Sequence, residues 1–215
     1  VYGWAWSENI GWISFNSTNC DSDGNGVINS SSLCQQVVAP GPAPIVSNYG
    51  VNVDPVTGLF SGFAWSENIG WVYFAPTGPY PGSPNYAACI DLPSIITEPC
   101  NGIGDYKTDG WARACAVFPQ GLCTGALRPN SERGGWDGWI RLKGLNYGLS
   151  VETVPVSPKE FFDWAWGGDD NGEEAVIGWI SANRKNCDPD GDGNPIATAG
   201  CLEVGRNYSI NPISD

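Results

Sequence analysis

Two stretches of the chain place oxygen ligands at a spacing that can wrap a hard cation. Cys20 and Cys34 bracket Asp21, Asp23 and Asn25, and Cys187 and Cys201 bracket Asp188, Asp190, Asp192 and Asn194, with glycines interleaved. Alternating carboxylates and amides followed by glycine let a loop curl around calcium, as in the first half of an EF-hand loop. The twelfth position, where a bidentate carboxylate belongs, is Ser32 in one loop and Ala199 in the other. Calcium is the expected cofactor, held by residues 20–34 and 187–201.

Acid–base chemistry has fewer footholds. Asp169 and Asp170 stand near Glu173 and Glu174, and two facing carboxylates can run glycoside hydrolysis. These four share one Gly-rich loop that gives them no fixed geometry. The chain contains no histidine, which removes the commonest general base and the usual triad partner. No enzyme is expected.

The elements that carry these loops show themselves by self-comparison. An aromatic-Ala-aromatic segment (a) occurs at Trp4-Ala5-Trp6, Phe63-Ala64-Trp65 and Trp164-Ala165-Trp166, and as Trp111-Ala112-Arg113. Gly-Trp and a β-branched residue (b) follow at Gly11-Trp12-Ile13, Gly70-Trp71-Val72, Gly138-Trp139-Ile140 and Gly178-Trp179-Ile180. An Asn-Tyr pair (c) opens a third short run at Asn48-Tyr49, Asn85-Tyr86, Asn146-Tyr147 and Asn207-Tyr208. Aromatic and β-branched residues in short runs between Gly, Pro and Asn clusters are strand signals. The identical Ser-Glu-Asn at 7–9 and 66–68 suits a tight a–b hairpin.

The expected fold is therefore all-β: four three-stranded antiparallel meander repeats, about 12 strands on the pattern argument, forming a sandwich, barrel or propeller-like array. The repeats span residues 1–57, 58–105, 106–158 and 159–215, in one or two compact β domains. The aromatic ladder of the a strands is expected to be mostly core, with sugar stacking as its alternative use. The Asn of each Asn-Tyr pair is expected to satisfy a turn.

Eight cysteines, Cys20, Cys34, Cys89, Cys100, Cys115, Cys123, Cys187 and Cys201, read as disulfides of an oxidising compartment. Cys89–Cys100 with Cys115–Cys123 is the simple pairing of the middle four; Cys89–Cys115 with Cys100–Cys123 competes. With 10 basic against 23 acidic residues and a net charge of -13, the chain repels phosphate backbones, and nucleic acid is excluded as a partner. No apolar run approaches the roughly 20 residues of a membrane-spanning helix, and with no charged n-region and apolar h-region at its start the chain is expected to be in its mature form. A secreted, extracellular or cell-surface location is expected. Sequons at Asn16, Asn29 and Asn207 are glycosylation candidates in a cell that glycosylates.

The strings at 3–15 (GWAWSENIGWISF) and 62–74 (GFAWSENIGWVYF) resemble a repeat of secreted proteins from uncultivated, small-genome bacteria. The resemblance covers the a and b strands of all four copies, loosely in the third, where Arg113 replaces the second Trp. It implies an exported surface protein and supplies no catalytic residues. The acidic loops resemble calcium loops of dockerin-like and thrombospondin-type repeats.

The phase of the repeat has its own consequence. The chain starts on an a strand, Val1 to Trp6, and ends on a c strand, Tyr208 to Ile213, leaving two complementary edges. Unpaired edges template further pairing. They either close on each other within one molecule or join copies head to tail. The function expected from this is an extracellular structural subunit that self-assembles through these strands into a fibre or surface array. The alternative is a monomeric cell-surface adhesion or glycan-binding module.

Overall fold

The computed structural model of the chain describes residues 1–20, 48–93, 99–100, 102, 104–151, 160–168, 175–186 and 208–211. Four antiparallel hairpins form where the a and b segments fall: β1 (Tyr2–Ser7) with β2 (Gly11–Ser14), β4 (Phe60–Ser66) with β5 (Gly70–Tyr73), β8 (Trp111–Ala114) with β9 (Trp139–Arg141), and β12 (Trp164–Gly168) with β13 (Ala175–Ser181). The glycine that opens each b segment has positive φ, +69° at Gly11, +67° at Gly70, +85° at Gly138 and +66° at Gly178. A side chain is disfavoured in that left-handed conformation.

Neighbouring hairpins join b to a, as β2–β4, β5–β8, β9–β12 and β13–β1, which closes an eight-stranded antiparallel barrel. Strand alternation then decides what lies inside. Ala5, Ala64, Ala112 and Ala165 face inward opposite Ile13, Val72, Ile140 and Ile180, and all eight are buried. An eight-stranded barrel has room only for side chains, and small residues opposite large ones fit it. The interior leaves an apolar void of about 30 Å³. The lumen is a core, not a binding site.

The expected core position of the aromatic ladder is thereby corrected. Trp4, Trp6, Trp12, Trp65, Trp71, Trp164, Trp166 and Trp179 stand on the outside of the barrel, half-buried, and Phe63 is 36% exposed. Only in the third hairpin are both tryptophans, Trp111 and Trp139, fully covered. The convex outer face has the space that the narrow lumen lacks.

The c segments give β3 (Val51–Val53), β6 (Cys89–Ile90), β10 (Ser150–Val151) and β14 (Ile210–Asn211), and the segments before the last two a strands add β7 (Thr108–Asp109) and β11 (Phe161–Phe162). These c strands pair with the start of the next a, as β3–β4, β6–β7, β10–β11 and β14–β1. Between them, Val1 N donates to Val51 O at 2.8 Å, Phe60 N to Ala88 O at 3.0 Å and Thr108 N to Leu149 O at 2.8 Å, while Phe161 pairs with Ile210. A second circuit thus caps one end of the barrel. Among the described residues b meets c only in single bridges, Asn16 with Gly50, Lys143 with Gly148 and Asn183 with Ser209. Among the described residues the sheet is an eight-stranded ring of hairpins with a capping circuit of extra strands.

The terminal edges meet inside one molecule: Tyr2 pairs with Asn211 and Gly3 with Ile210, and Trp6 pairs with Ser181. Among the described residues helix is confined to short turns and to α1 (Asn130–Arg133). One buried apolar cluster draws on all four hairpins. Cys89–Cys100 and Cys115–Cys123 are the bonded pairs, so the sequential connectivity holds for these four. Cys20 is also disulfide-bonded and fully buried.

Candidate functional site

On the outer face each b-strand tryptophan sits among aromatic neighbours. Trp12 meets Trp4, Trp6 and Tyr208 with ring centroids 6.4, 4.7 and 5.3 Å away. Trp71 meets Phe63, Trp65 and Tyr49 at 6.2, 4.5 and 5.2 Å, and Trp179 meets Trp164, Trp166 and Tyr147 at 6.3, 4.7 and 5.0 Å. Edge-to-face contacts of this kind add about 0.5–1.5 kcal/mol beyond area burial. In the third hairpin Arg113 takes the place of the second tryptophan, its guanidinium 4.1 Å from the Trp139 ring and 4.8 Å from Phe118. Burial lowers the Arg113 pKa while the cation–π contact keeps a ring partner for the charge.

Two polar clusters hold the belt to the cap. Tyr49 donates to Ser14 Oγ at 2.7 Å, and Asn19 donates to the same oxygen at 2.9 Å and to Gly3 O at 2.7 Å while accepting from Gly3 N at 2.9 Å. The fourth hairpin repeats this: Tyr208 to Ser181 at 2.9 Å, Asn186 to Ser181 at 2.8 Å, Asn186 to Asp163 O at 2.7 Å and Asp163 N to Asn186 Oδ1 at 3.0 Å. Burial pushes the Tyr49 phenol up to about 12, against the pull of Ser14. The tyrosine of the Asn-Tyr pair is thus the structural residue. Its neighbour Asn48 is exposed and accepts from Ser17 Oγ at 3.4 Å. The Ser-Glu-Asn turns link hairpins: Ser7 and Asn9 donate to Ile177 O at 3.1 and 3.2 Å, and Asn68 donates to Ile10 O at 3.1 Å.

A cleft of about 670 Å³ lies beside the fourth hairpin, walled by Phe162 and Trp164 and carrying Ser150, Glu160, Asp163 and Asn183. Asp105, Lys107, Lys185 and Asn186 complete its polar rim. Ion pairs engage both lysines, Lys107 with Asp105 at 2.7 Å and Lys185 with Glu160 at 3.0 Å. Desolvation raises the Asp163 carboxyl, with a hydrogen bond from Ser150 at 3.2 Å opposing it. Desolvation also raises Glu160, but hydrogen bonds from Asn183 and Lys185 outweigh it and hold that carboxyl below the usual range. The cleft is open and its lining is mostly polar, with Val151, Phe162 and Trp164 as its apolar part.

Asp163 has positive φ, +68°, at the position where the first three hairpins carry Gly3, Gly62 and Gly110 at +100°, +82° and +87°. Sequence reasoning did not single out Ser150, Glu160, Asp163 or Asn186. The signal was present as the one acidic residue in a register otherwise filled by glycine, and as the shared spacing Asn16-x-x-Asn19-Cys20 and Asn183-x-x-Asn186-Cys187.

Of the expected ligands, Asp21, Asp23, Asn25, Asp188, Asp190, Asp192 and Asn194 lie outside the described residues, with Cys34, Cys187, Cys201, Asn29, Asn207 and the acids at 169, 170, 173 and 174. Among the described residues no group of three or more acidic or cysteine side chains is arranged to hold a metal. Asn16 is described: its Oδ1 accepts from Thr18 N at 2.9 Å and its amide donates to Val1 O at 3.4 Å. Among the described residues no helix is long and apolar enough to cross a membrane. No protein-family model, curated protein or solved structure matches this chain.

Proposed function

We propose that this chain is an extracellular, non-catalytic adhesion module that binds carbohydrate on the outer face of its barrel. The observation that carries the reading is the placement of the tryptophans. A belt of half-buried Trp with the exposed Phe63 runs outside a filled barrel, next to a polar cleft. Aromatic faces pack against the C–H faces of sugars, and neighbouring carboxylates and hydroxyls take the ring hydroxyls. Calcium in the loops at 20–34 and 187–201 belongs to the same reading, as a stiffener of the extracellular loops. The test is a glycan array and titration calorimetry on the full chain. Binding of oligosaccharides with quenching or shift of Trp fluorescence is expected, and absence of binding at millimolar sugar overturns the reading.

A second reading, the head-to-tail structural subunit, draws on one observation. Among the described residues β14 meets β1 through two residue pairs, and the same pairs could form between the last strand of one molecule and the first of another. Electron microscopy separates the two: uniform filaments favour the subunit and dispersed particles the module.

A further inference from the structure

We propose that the cleft beside the fourth hairpin is the sugar site and that Asp163 decides its specificity, accepting hydrogen bonds from a neutral hexopyranose whose C–H face lies on Trp164. This inference rests on the carbohydrate reading above and narrows it to one place and one ligand class.

Three observations converge. The first is preorganisation. Asn186 clamps the Asp163 backbone from both sides, accepting from its N–H at 3.0 Å and donating to its carbonyl at 2.7 Å. Ser150 Oγ donates to Asp163 Oδ2 at 3.2 Å. A carboxylate fixed in this way loses little freedom when a ligand binds.

The second is the contrast with the first hairpin. Asn19 clamps Gly3 by the same two bonds, 2.9 and 2.7 Å, so the framework forms with no side chain at that position. The carboxylate is an addition to the framework and not a part of it. Asp at positive φ is also less favourable than Gly there.

The third is charge. Asp105, Glu160 and Asp163 line the cleft against Lys107 and Lys185, and both lysines are already in ion pairs. A uronate or sulfated sugar meets net repulsion. A neutral pyranose offers hydroxyl donors to the carboxylate and an apolar face to Trp164.

The experiment compares the wild-type chain with Asp163→Gly, Trp164→Leu and Trp71→Leu, titrated with neutral gluco-, galacto- and manno-oligosaccharides and with uronate oligomers. Asp163→Gly restores the residue of the other three hairpins and is expected to fold with an unchanged circular dichroism spectrum and a Tm no lower than wild type. Its affinity is expected to fall at least tenfold, as is that of Trp164→Leu, while Trp71→Leu retains binding. Unchanged affinity in Asp163→Gly, or loss confined to Trp71→Leu, overturns the assignment of the cleft and leaves the carbohydrate reading standing. Preference for uronate oligomers overturns the neutral ligand class. Wild-type protein that binds none of these sugars overturns the parent reading along with this one.

Discussion

The Tyr208 hydroxyl donates to Ser181 Oγ at 2.9 Å, tying the capping strand β14 to the barrel strand β13. Ser181 is fully buried and also donates to Asn183 O at 3.0 Å. Tyr208→Phe is expected to cost about 1 kcal/mol, the net value of one such hydrogen bond. A double-mutant cycle with Ser181→Ala, read by urea denaturation, should return a coupling of about 0.5 kcal/mol or more, as expected for residues in one network. Additive effects would show that the bond contributes no coupling.

Gly62 has φ +82°, and a Cβ there would collide with Gly50 O, just before the paired strand β3. Gly62→Ala therefore combines left-handed strain of about 1–2 kcal/mol with displacement of β3. Gly134, after α1, has φ +61° and open space around its Cβ position. Gly134→Ala should show the strain alone. Thermal denaturation of the two variants separates the terms, with Gly62→Ala the less stable.

Inside the barrel, Ile140 is 3% exposed and stands opposite fully buried Ala112. Ile140→Ala is expected to cost about 2–5 kcal/mol by cavity formation, and Ala112→Leu about 1–3 kcal/mol by overpacking. Phe63→Ala on the outer face, where the ring is 36% exposed, should cost less than Ile140→Ala. Chemical denaturation of the three variants checks which face is core.

The two cleft carboxyls are expected to shift in opposite directions. Glu160 is held below the usual range, so its contribution to stability is present above the unfolded pKa and is lost as pH falls through the folded pKa. Asp163 is raised, so the folded state holds its proton longer, and stability declines as pH rises from the unfolded pKa through the folded one. Carboxyl carbon NMR titration should find Glu160 below the midpoint of an exposed glutamate and Asp163 above that of an exposed aspartate. Lys185→Met should raise the Glu160 midpoint by removing its 3.0 Å partner.

Removing residues 1–6 deletes the strand that pairs with β2, β13 and β14. The barrel and the cap both lose a member, and the truncated chain is expected to lose cooperative unfolding. Light scattering on the intact chain at micromolar concentration should give the monomer mass, because its terminal strands pair with each other. Concentration-dependent growth of the intact chain that residues 208–211 in peptide form suppress would instead indicate strand exchange.

Much of this was legible from residue order. The hairpins fall where aromatic-Ala-aromatic and Gly-Trp segments predict them, because β-branched and aromatic residues between tight turns have few other local solutions. The glycine opening each b segment marks a positive φ that most other residues resist. Sequential pairing was the simpler arrangement for Cys89, Cys100, Cys115 and Cys123, and the fold keeps each pair within one segment. The cleft was not legible, since Ser150, Glu160, Asp163 and Asn186 come from different elements that only the cap brings together.

Sequence by itself determined an all-β chain with two alternating faces, Ala and Ile or Val on one, Trp on the other. Alternation does not say which face turns inward. Closure of the barrel decided that, because the concave side has room for Ala opposite Ile and the convex side for indole rings. Segment order likewise puts an a strand near residue 4 and a c strand near residue 210. Only the tertiary structure paired Gly3 with Ile210 in one molecule, because eight strands bring the chain round to its own beginning.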